Sequence, residues 1–263
     1  MRWTDVAGIR VGFEQAGDGP PLVLVHGALS DSRVWRGQLD ALSDGFTVVA
    51  WDAPGCGQSE DPSESFRLPE YADALAGLIA ALGLGQANVL GHSFGGALAL
   101  ELALRHPATV ATLILVGGYA GWAGSLPASE VKRRLAFAID TADRLPGHFE
   151  PESMSGLFSK QLPPEARATL RTTMAESRPV AARSMAYALA EADLRDGISS
   201  LRVPTLLVYG SADERSPLAV ADDLQRRIPM SSLVVLPELG HECYLEDPDR
   251  FNAEVRDFLR AQS

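Results

Sequence analysis

The first residues with chemical promise are Gly91-His92-Ser93-Phe94-Gly95-Gly96. They follow the apolar run Ala87-Asn88-Val89-Leu90 and lead into the helical pattern Ala97-Leu98-Ala99-Leu100-Glu101-Leu102-Ala103-Leu104. This is G-x-S-x-G between a strand and a helix, a setting that lifts a serine onto a sharp, strained turn. Glycines two positions to either side remove side chains that would collide there. The helix beyond Ser93 also directs its free N–H groups toward developing negative charge. Without chemistry, the same letters describe a glycine-rich strand-to-helix turn with an incidental serine. The placement favours Ser93 as a nucleophile.

A serine hydroxyl needs a base, and the chain has histidines at 26, 92, 106, 148 and 241. His241 lies in Leu239-Gly240-His241-Glu242, after the last predicted strand and before the final helix, where it can reach the edge that carries Ser93. His92 adjoins Ser93, but consecutive side chains on a tight turn diverge, so it is expected to pack or hydrogen-bond beneath that turn. His106 ends a helix, where a cation suits the dipole. His148 is expected on a surface, and His26 is expected to hold its own loop. The base in turn needs a carboxylate to fix its tautomer. Asp213 in Gly210-Ser211-Ala212-Asp213-Glu214 is placed for that role, with Glu214 as its nearest rival and a plain turn-initiating Asp as the alternative. After the preceding strand, Gly117-Gly118-Tyr119-Ala120 offers no carboxylate.

An acyl-transfer intermediate further needs donors for its oxyanion. The N–H of Phe94, directly after the nucleophile, is one candidate. The other lies in His26-Gly27-Ala28-Leu29-Ser30-Asp31, where Ala28 is a better candidate than Leu29. The competing reading is a strand-to-helix loop capped by Ser30 or Asp31.

These residues must be positioned by ordered elements. Apolar runs at Leu22–Val25, Thr47–Trp51, Ala87–Leu90, Leu113–Val116, Pro204–Tyr209 and Leu233–Leu236 alternate with amphipathic stretches at Leu68–Leu82, Phe94–Arg105, Ala219–Arg227 and Asp249–Ala261. That alternation predicts a parallel α/β sheet buried on both faces. Arg2–Val6 and Ile9–Gln15 around Ala7-Gly8 predict an antiparallel hairpin at one edge. The interval 117–203 greatly exceeds the dozen or so residues a crossover needs. It contains helical patterns at Glu130–Arg144, Glu165–Glu176 and Val180–Asp193 among repeated prolines. We read it as a helical cap over the carboxyl edge of the sheet, where such sheets bind ligands; a side bundle serving stability alone is the alternative. The predicted division is a core of 1–118 and 200–263 with a cap of 119–199.

Composition narrows the partners. The 263 residues are 46% hydrophobic and 22% charged, which fits a globular chain, and 23 Lys+Arg against 34 Asp+Glu leave a net charge of −11. Such a balance disfavours nucleic acid and anionic membranes. Two cysteines, Cys56 and Cys243, make neither a disulfide framework nor a zinc site. With no signal-like or membrane-spanning apolar run, a cytoplasmic protein is expected, as a monomer or a homodimer.

Taken together, His26-Gly27, Asp52-Ala53-Pro54-Gly55-Cys56-Gly57-Gln58-Ser59, Gly91-His92-Ser93-Phe94-Gly95-Gly96, Gly210-Ser211-Ala212-Asp213 and Gly240-His241 resemble the α/β-hydrolase superfamily over nearly the whole chain. The likeness is to its capped carboxylesterases, enol-lactonases and cofactor-free C–C bond hydrolases. The order Ser93, Asp213, His241 matches that of its triad. The second motif departs from the family pattern at Pro54, where an arginine commonly stands. Serine at 93, where haloalkane dehalogenases and soluble epoxide hydrolases carry aspartate, argues against a carboxylate nucleophile. The resemblance implies the α/β-hydrolase fold, a mostly parallel, doubly wound sheet with N-terminal antiparallel strands and an inserted helical cap. It implies hydrolysis of a small to medium hydrophobic ester or lactone, with no metal or organic cofactor. An enol-lactonase, a C–C hydrolase and a ligand-binding receptor that retains the triad are the alternatives. Leu29, Trp122, Leu126, Phe137 and Phe158 are expected to contact the substrate. The cap arginines Arg133, Arg134, Arg171, Arg178 and Arg183 cannot be placed inward or outward from sequence.

Overall fold

A computed structural model describes residues 1–147, 150–151 and 154–262. The eight strands are β1 (Arg2–Val6), β2 (Ile9–Ala16), β3 (Pro21–Val25), β4 (Thr47–Trp51), β5 (Ala87–His92), β6 (Val110–Val116), β7 (Thr205–Gly210) and β8 (Ser231–Leu236). They form one sheet in the order β1-β2-β4-β3-β5-β6-β7-β8. β1 pairs antiparallel with β2, and β2 with β4; every other pairing is parallel. The edge hairpin turns through Ala7 and Gly8, both at positive φ (52° and 85°), as a tight two-residue turn requires.

The period-2 geometry of a strand explains why apolar runs without polar alternation can be central strands. Val23 and Val25 of β3, Val49 and Trp51 of β4, and Leu113 and Leu115 of β6 enter one core cluster. Their neighbours Leu22, Leu24, Val48, Ala50, Ile114 and Val116 enter the other. Each such side chain contributes on the order of 1.5–3 kcal/mol by leaving water. Helices α2 (Leu68–Ala81) and α3 (Phe94–Arg105) cover the first face, and α1 (Arg36–Leu42) and the late helix Pro248–Arg260 cover the second.

Between β6 and β7 lie α4 (Ala128–Asp143), α5 (Pro164–Glu176), α6 (Pro179–Glu191) and the short α7 (Arg195–Ile198). The expected helices are present but begin earlier than predicted. Pro164 and Pro179 are the first residues of α5 and α6, not breaks before them. A first-turn N–H has no intrahelical acceptor, so proline costs nothing there. The remaining helices are α8 (Leu218–Arg227), α9 (Cys243–Glu246) and α10 (Pro248–Arg260). Among the described residues, no helix is long and apolar enough to cross a membrane.

Candidate active site

Ser93 stands between β5 and α3 with φ 52° and ψ −109°. The strain is fixed by backbone on all sides. Its N–H donates to Val116 O at 2.9 Å, and its carbonyl accepts from Gly96 N at 3.0 Å. A Cβ on Gly91 would come 2.1 Å from Gly95 O, and one on Gly95 would come 2.2 Å from Val25 O. The two glycines are therefore steric necessities of the turn. Phe94 turns its ring away into the core, edge-on to Tyr71 with centroids 5.3 Å apart. As the first residue of α3, its N–H has no intrahelical acceptor.

His241 and Asp213 are brought together from the loops after β8 and β7. His241 Nδ1 lies 2.8 Å from Asp213 Oδ2, and both residues are buried. The other oxygen, Oδ1, accepts the N–H groups of Arg215 (2.8 Å) and Ser216 (2.7 Å), which fixes the carboxylate plane. Donation from Nδ1 to that carboxylate leaves Nε2 as the acceptor nitrogen. Ser93 and His241 line the same cavity, while Ser93 Oγ makes no hydrogen bond with a described residue. That contact tightens in many hydrolytic sites only when substrate is bound.

Two features holding the histidine were not anticipated. Gly117 has φ 52°, and a Cβ there would come 2.9 Å from His241 Cε1 and Nδ1 and 3.1 Å from Asp213 Oδ2. The glycine that earlier registered only as a missing carboxylate thus makes room for the His–Asp pair. Glu246 accepts the Gly240 N–H on Oε1 (2.8 Å) and the Ser159 N–H on Oε2 (3.2 Å), tying the histidine loop to the segment before α5. A carboxylate five residues after His241 was the available signal.

The other histidines have separate roles. His92 is buried beneath the turn, with Nε2 3.2 Å from His241 O. Burial, reinforced by repulsion from His241, holds its pKa well below the usual 6.5. His26 accepts the Ala53 N–H on Nε2 (3.0 Å), leaving Nδ1 to donate to Gly27 O (2.8 Å); burial lowers its pKa as well. His106 pairs with Asp73 at 2.7 Å on the surface. His148 lies outside the described residues.

The Asp52 turn supports the loop of Ala28. Asp52 accepts Ser32 N on Oδ1 and Gln58 N on Oδ2, each at 2.8 Å. Gly57, at φ 48°, would place a Cβ 2.3 Å from Asp52 Oδ2. Burial pushes the thiols of Cys56 and Cys243 well above their ordinary range.

The cavity has a volume of about 400 Å³ and is walled by both core and insertion. Ala28, the candidate oxyanion donor, lines it, as do Leu29, Trp122 and Phe137 of the candidate substrate contacts. Leu126 and Phe158 do not. Leu126, in the loop before α4, packs against the cluster on one face of the sheet, and Phe158, in the loop before α5, packs against the other. The wall also contains residues that sequence reasoning did not select, among them Tyr119, Leu189, Arg215, Glu242 and Tyr244. Of the cap arginines, Arg133 and Arg134 reach it. Glu242 is buried, and that burial raises its carboxyl pKa above the usual 4.5.

The chain belongs to the α/β-hydrolase family: residues 20–248 match the model described as alpha/beta hydrolase fold. It is 32% identical over 260 residues to a pimeloyl-acyl-carrier-protein methyl ester esterase of Aeromonas hydrophila, covering 95% of this chain and 99% of that one. Its structure is similar to that of a thermophilic esterase of Thermogutta terrifontis with malate bound, at 29% identity and a TM-score of 0.90, covering 100% of this chain and 99% of that one. It is also similar to an enol-lactonase of Burkholderia xenovorans, at 26% identity and a TM-score of 0.80, covering 98% of this chain and 100% of that one.

Proposed function

We propose that the protein is a serine hydrolase that cleaves a carboxylic ester or lactone of a small to medium hydrophobic substrate. The observation that carries this reading is the 2.8 Å His241–Asp213 pair, whose imidazole lines the cavity that Ser93 also lines. In this mechanism His241 Nε2 takes the Ser93 proton as Oγ attacks the carbonyl carbon. The N–H groups of Ala28 and Phe94 receive the oxyanion, each donor adding about 10²–10³ in rate. The imidazolium, steadied by Asp213, then protonates the leaving alcohol. A water deprotonated by the same nitrogen attacks the acyl-enzyme and releases the acid, restoring Ser93. The esterases among its relatives support the same reaction class.

Lactone opening uses the same steps, with the alcohol retained on the product. The enol-lactonase among its structural neighbours supports this second reading.

The test is hydrolysis of p-nitrophenyl esters of graded chain length by wild type and Ser93→Ala. The variant should lose about 10⁴-fold or more of kcat. If neither protein hydrolyses any ester above buffer while a ligand still raises Tm, the protein is a binding module and this reading fails.

A further inference from the structure

The wall of the cavity carries a guanidinium that the proposed mechanism leaves unused. Arg215 follows Asp213 by two residues, so its backbone is tied to the carboxylate that holds His241. Its side chain lines the cavity and is partly buried. The neighbouring Arg134 is fully engaged: Nε donates to Glu130 Oε1 at 2.7 Å, Nη1 to Tyr119 Oη at 2.9 Å, and Nη2 to Arg215 O at 2.9 Å. Arg133 shares Glu130 with it. Arg215, by contrast, donates only Nε, to Ser155 O at 3.2 Å. Among the described residues, neither of its Nη nitrogens has an acceptor and no carboxylate lies within ion-pair distance.

Nearby acids act on it only at a distance, without a direct ion pair. Asp213 is committed to His241 and two N–H groups. Glu242 is buried and biased toward its neutral form. Desolvation accordingly disfavours the charge on Arg215 relative to an ordinary guanidinium. Holding a partly desolvated cation without a partner is unfavourable unless a ligand supplies the anion. The free part of Arg215 is a planar two-nitrogen fork, whose matching anion is a carboxylate.

We propose that the substrate carries a carboxylate in addition to its scissile ester, bound by the Nη nitrogens of Arg215. Resting on the hydrolase reading above, this makes the substrate class half-esters of short dicarboxylic acids or lactones that bear a carboxylate. Leu29, Trp122 and Leu189 on the same wall offer apolar surface to the carbon chain between the two groups.

The test compares kcat/KM for monomethyl glutarate and its uncharged isostere, methyl pentanoate, in wild type, Arg215→Lys and Arg215→Met. Wild type should favour the half-ester by at least about 10-fold, and the ratio of the two substrates should fall about 10²-fold in Arg215→Met, the loss expected on truncating one partner of a desolvated ion pair. Arg215→Lys should restore part of the ratio. A wild type that prefers the neutral ester overturns the proposal, even if Arg215→Met does not fold. So does an Arg215→Met that loses both substrates equally, since that marks a role in holding the Asp213 loop. If wild type hydrolyses neither ester, the hydrolase reading is tested by the p-nitrophenyl series. The anion site is then read by calorimetric titration of glutarate, where Arg215-dependent binding supports it and absence of binding, or binding of inorganic phosphate alone, overturns it.

Discussion

Gly117→Ala is the perturbation that separates steric room for the His–Asp pair from backbone cost. Gly117 adopts φ 52°, so alanine there costs about 1–2 kcal/mol from the left-handed backbone alone. Its Cβ would also sit 2.9 Å from two ring atoms of His241 and 3.1 Å from Asp213 Oδ2. Relief to ordinary contact at ~3.5 Å requires a shift of roughly half an ångström or more. That shift stretches or tilts the 2.8 Å bond between His241 and Asp213, because the carboxylate is pinned by two N–H groups and cannot follow. Misplacement near 1 Å costs about 10²-fold, and loss of the orienting acid costs up to about 10⁴ in the serine proteases. Kcat on a short p-nitrophenyl ester should therefore drop about 10²–10⁴-fold with little change in KM. Gly83→Ala is the control: Gly83 has φ 64° and nothing within 4 Å of an added Cβ, so it carries only the backbone cost. Both variants should lose a few degrees in Tm, at ~2–4 °C per kcal/mol for a chain of this size. If Gly117→Ala matches Gly83→Ala in stability and keeps kcat within about threefold of wild type, the crowding argument is wrong.

Two further outcomes follow from burial. His92 and His26 are held neutral in the fold, so below the ordinary 6.5 the unfolded chain takes up protons that the native state refuses, and each group removes up to about 1.4 kcal/mol per pH unit as pH falls toward its folded value. His92→Gln should flatten the decline in unfolding free energy from urea titrations between about pH 6.5 and 5 by up to that amount; identical slopes in the two proteins would contradict the assignment. Leu126 and Phe137 should separate stability from specificity, because Leu126 packs on the core whereas Phe137 lines the cavity and is 44% exposed. Leu126→Ala should lower stability by about 1–2 kcal/mol, the low end for a partly buried leucine, with KM unchanged, while Phe137→Ala should shift the preferred acyl length at unchanged Tm. Urea unfolding and chain-length profiles read both effects.

The meeting of Ser93, Asp213 and His241 is legible in the sequence because parallel strands end at one edge. β5, β7 and β8 run the same way, so the loops after them converge whatever separates them in the chain. The hairpin at Ala7-Gly8 and the central strands are legible for similarly local reasons, a turn dipeptide and unbroken β-branched runs. Gly117 is not, since its conformation matters only once another loop has brought an imidazole beside it. The starts of α5 and α6 are missed because proline looks the same before a helix as in its first turn. Leu126 and Phe158 carry the apolarity of pocket residues, but whether they meet the cavity or the core depends on how the insertion docks, which no spacing within 119–199 records.

The docking of the insertion on the core also ties it to the candidate site. Arg134 of α4 and the hydroxyl of Tyr119 both donate to the carbonyl of Arg215, in the same peptide group as the Ser216 N–H that anchors Asp213. On the other side, Glu242 N donates to Leu157 O at 3.2 Å, so the segment before α5 holds the residue next to His241. Gly156 packs on Glu214 so closely that a Cβ there would come 3.0 Å from Glu214 Cβ. The insertion therefore braces the loops of both Asp213 and His241 while it walls the cavity. A substitution that moves α4 to admit a larger substrate also moves the support of the Asp213 carboxylate. In the proposed reaction, specificity and turnover should therefore be coupled through the Arg134–Arg215 contact.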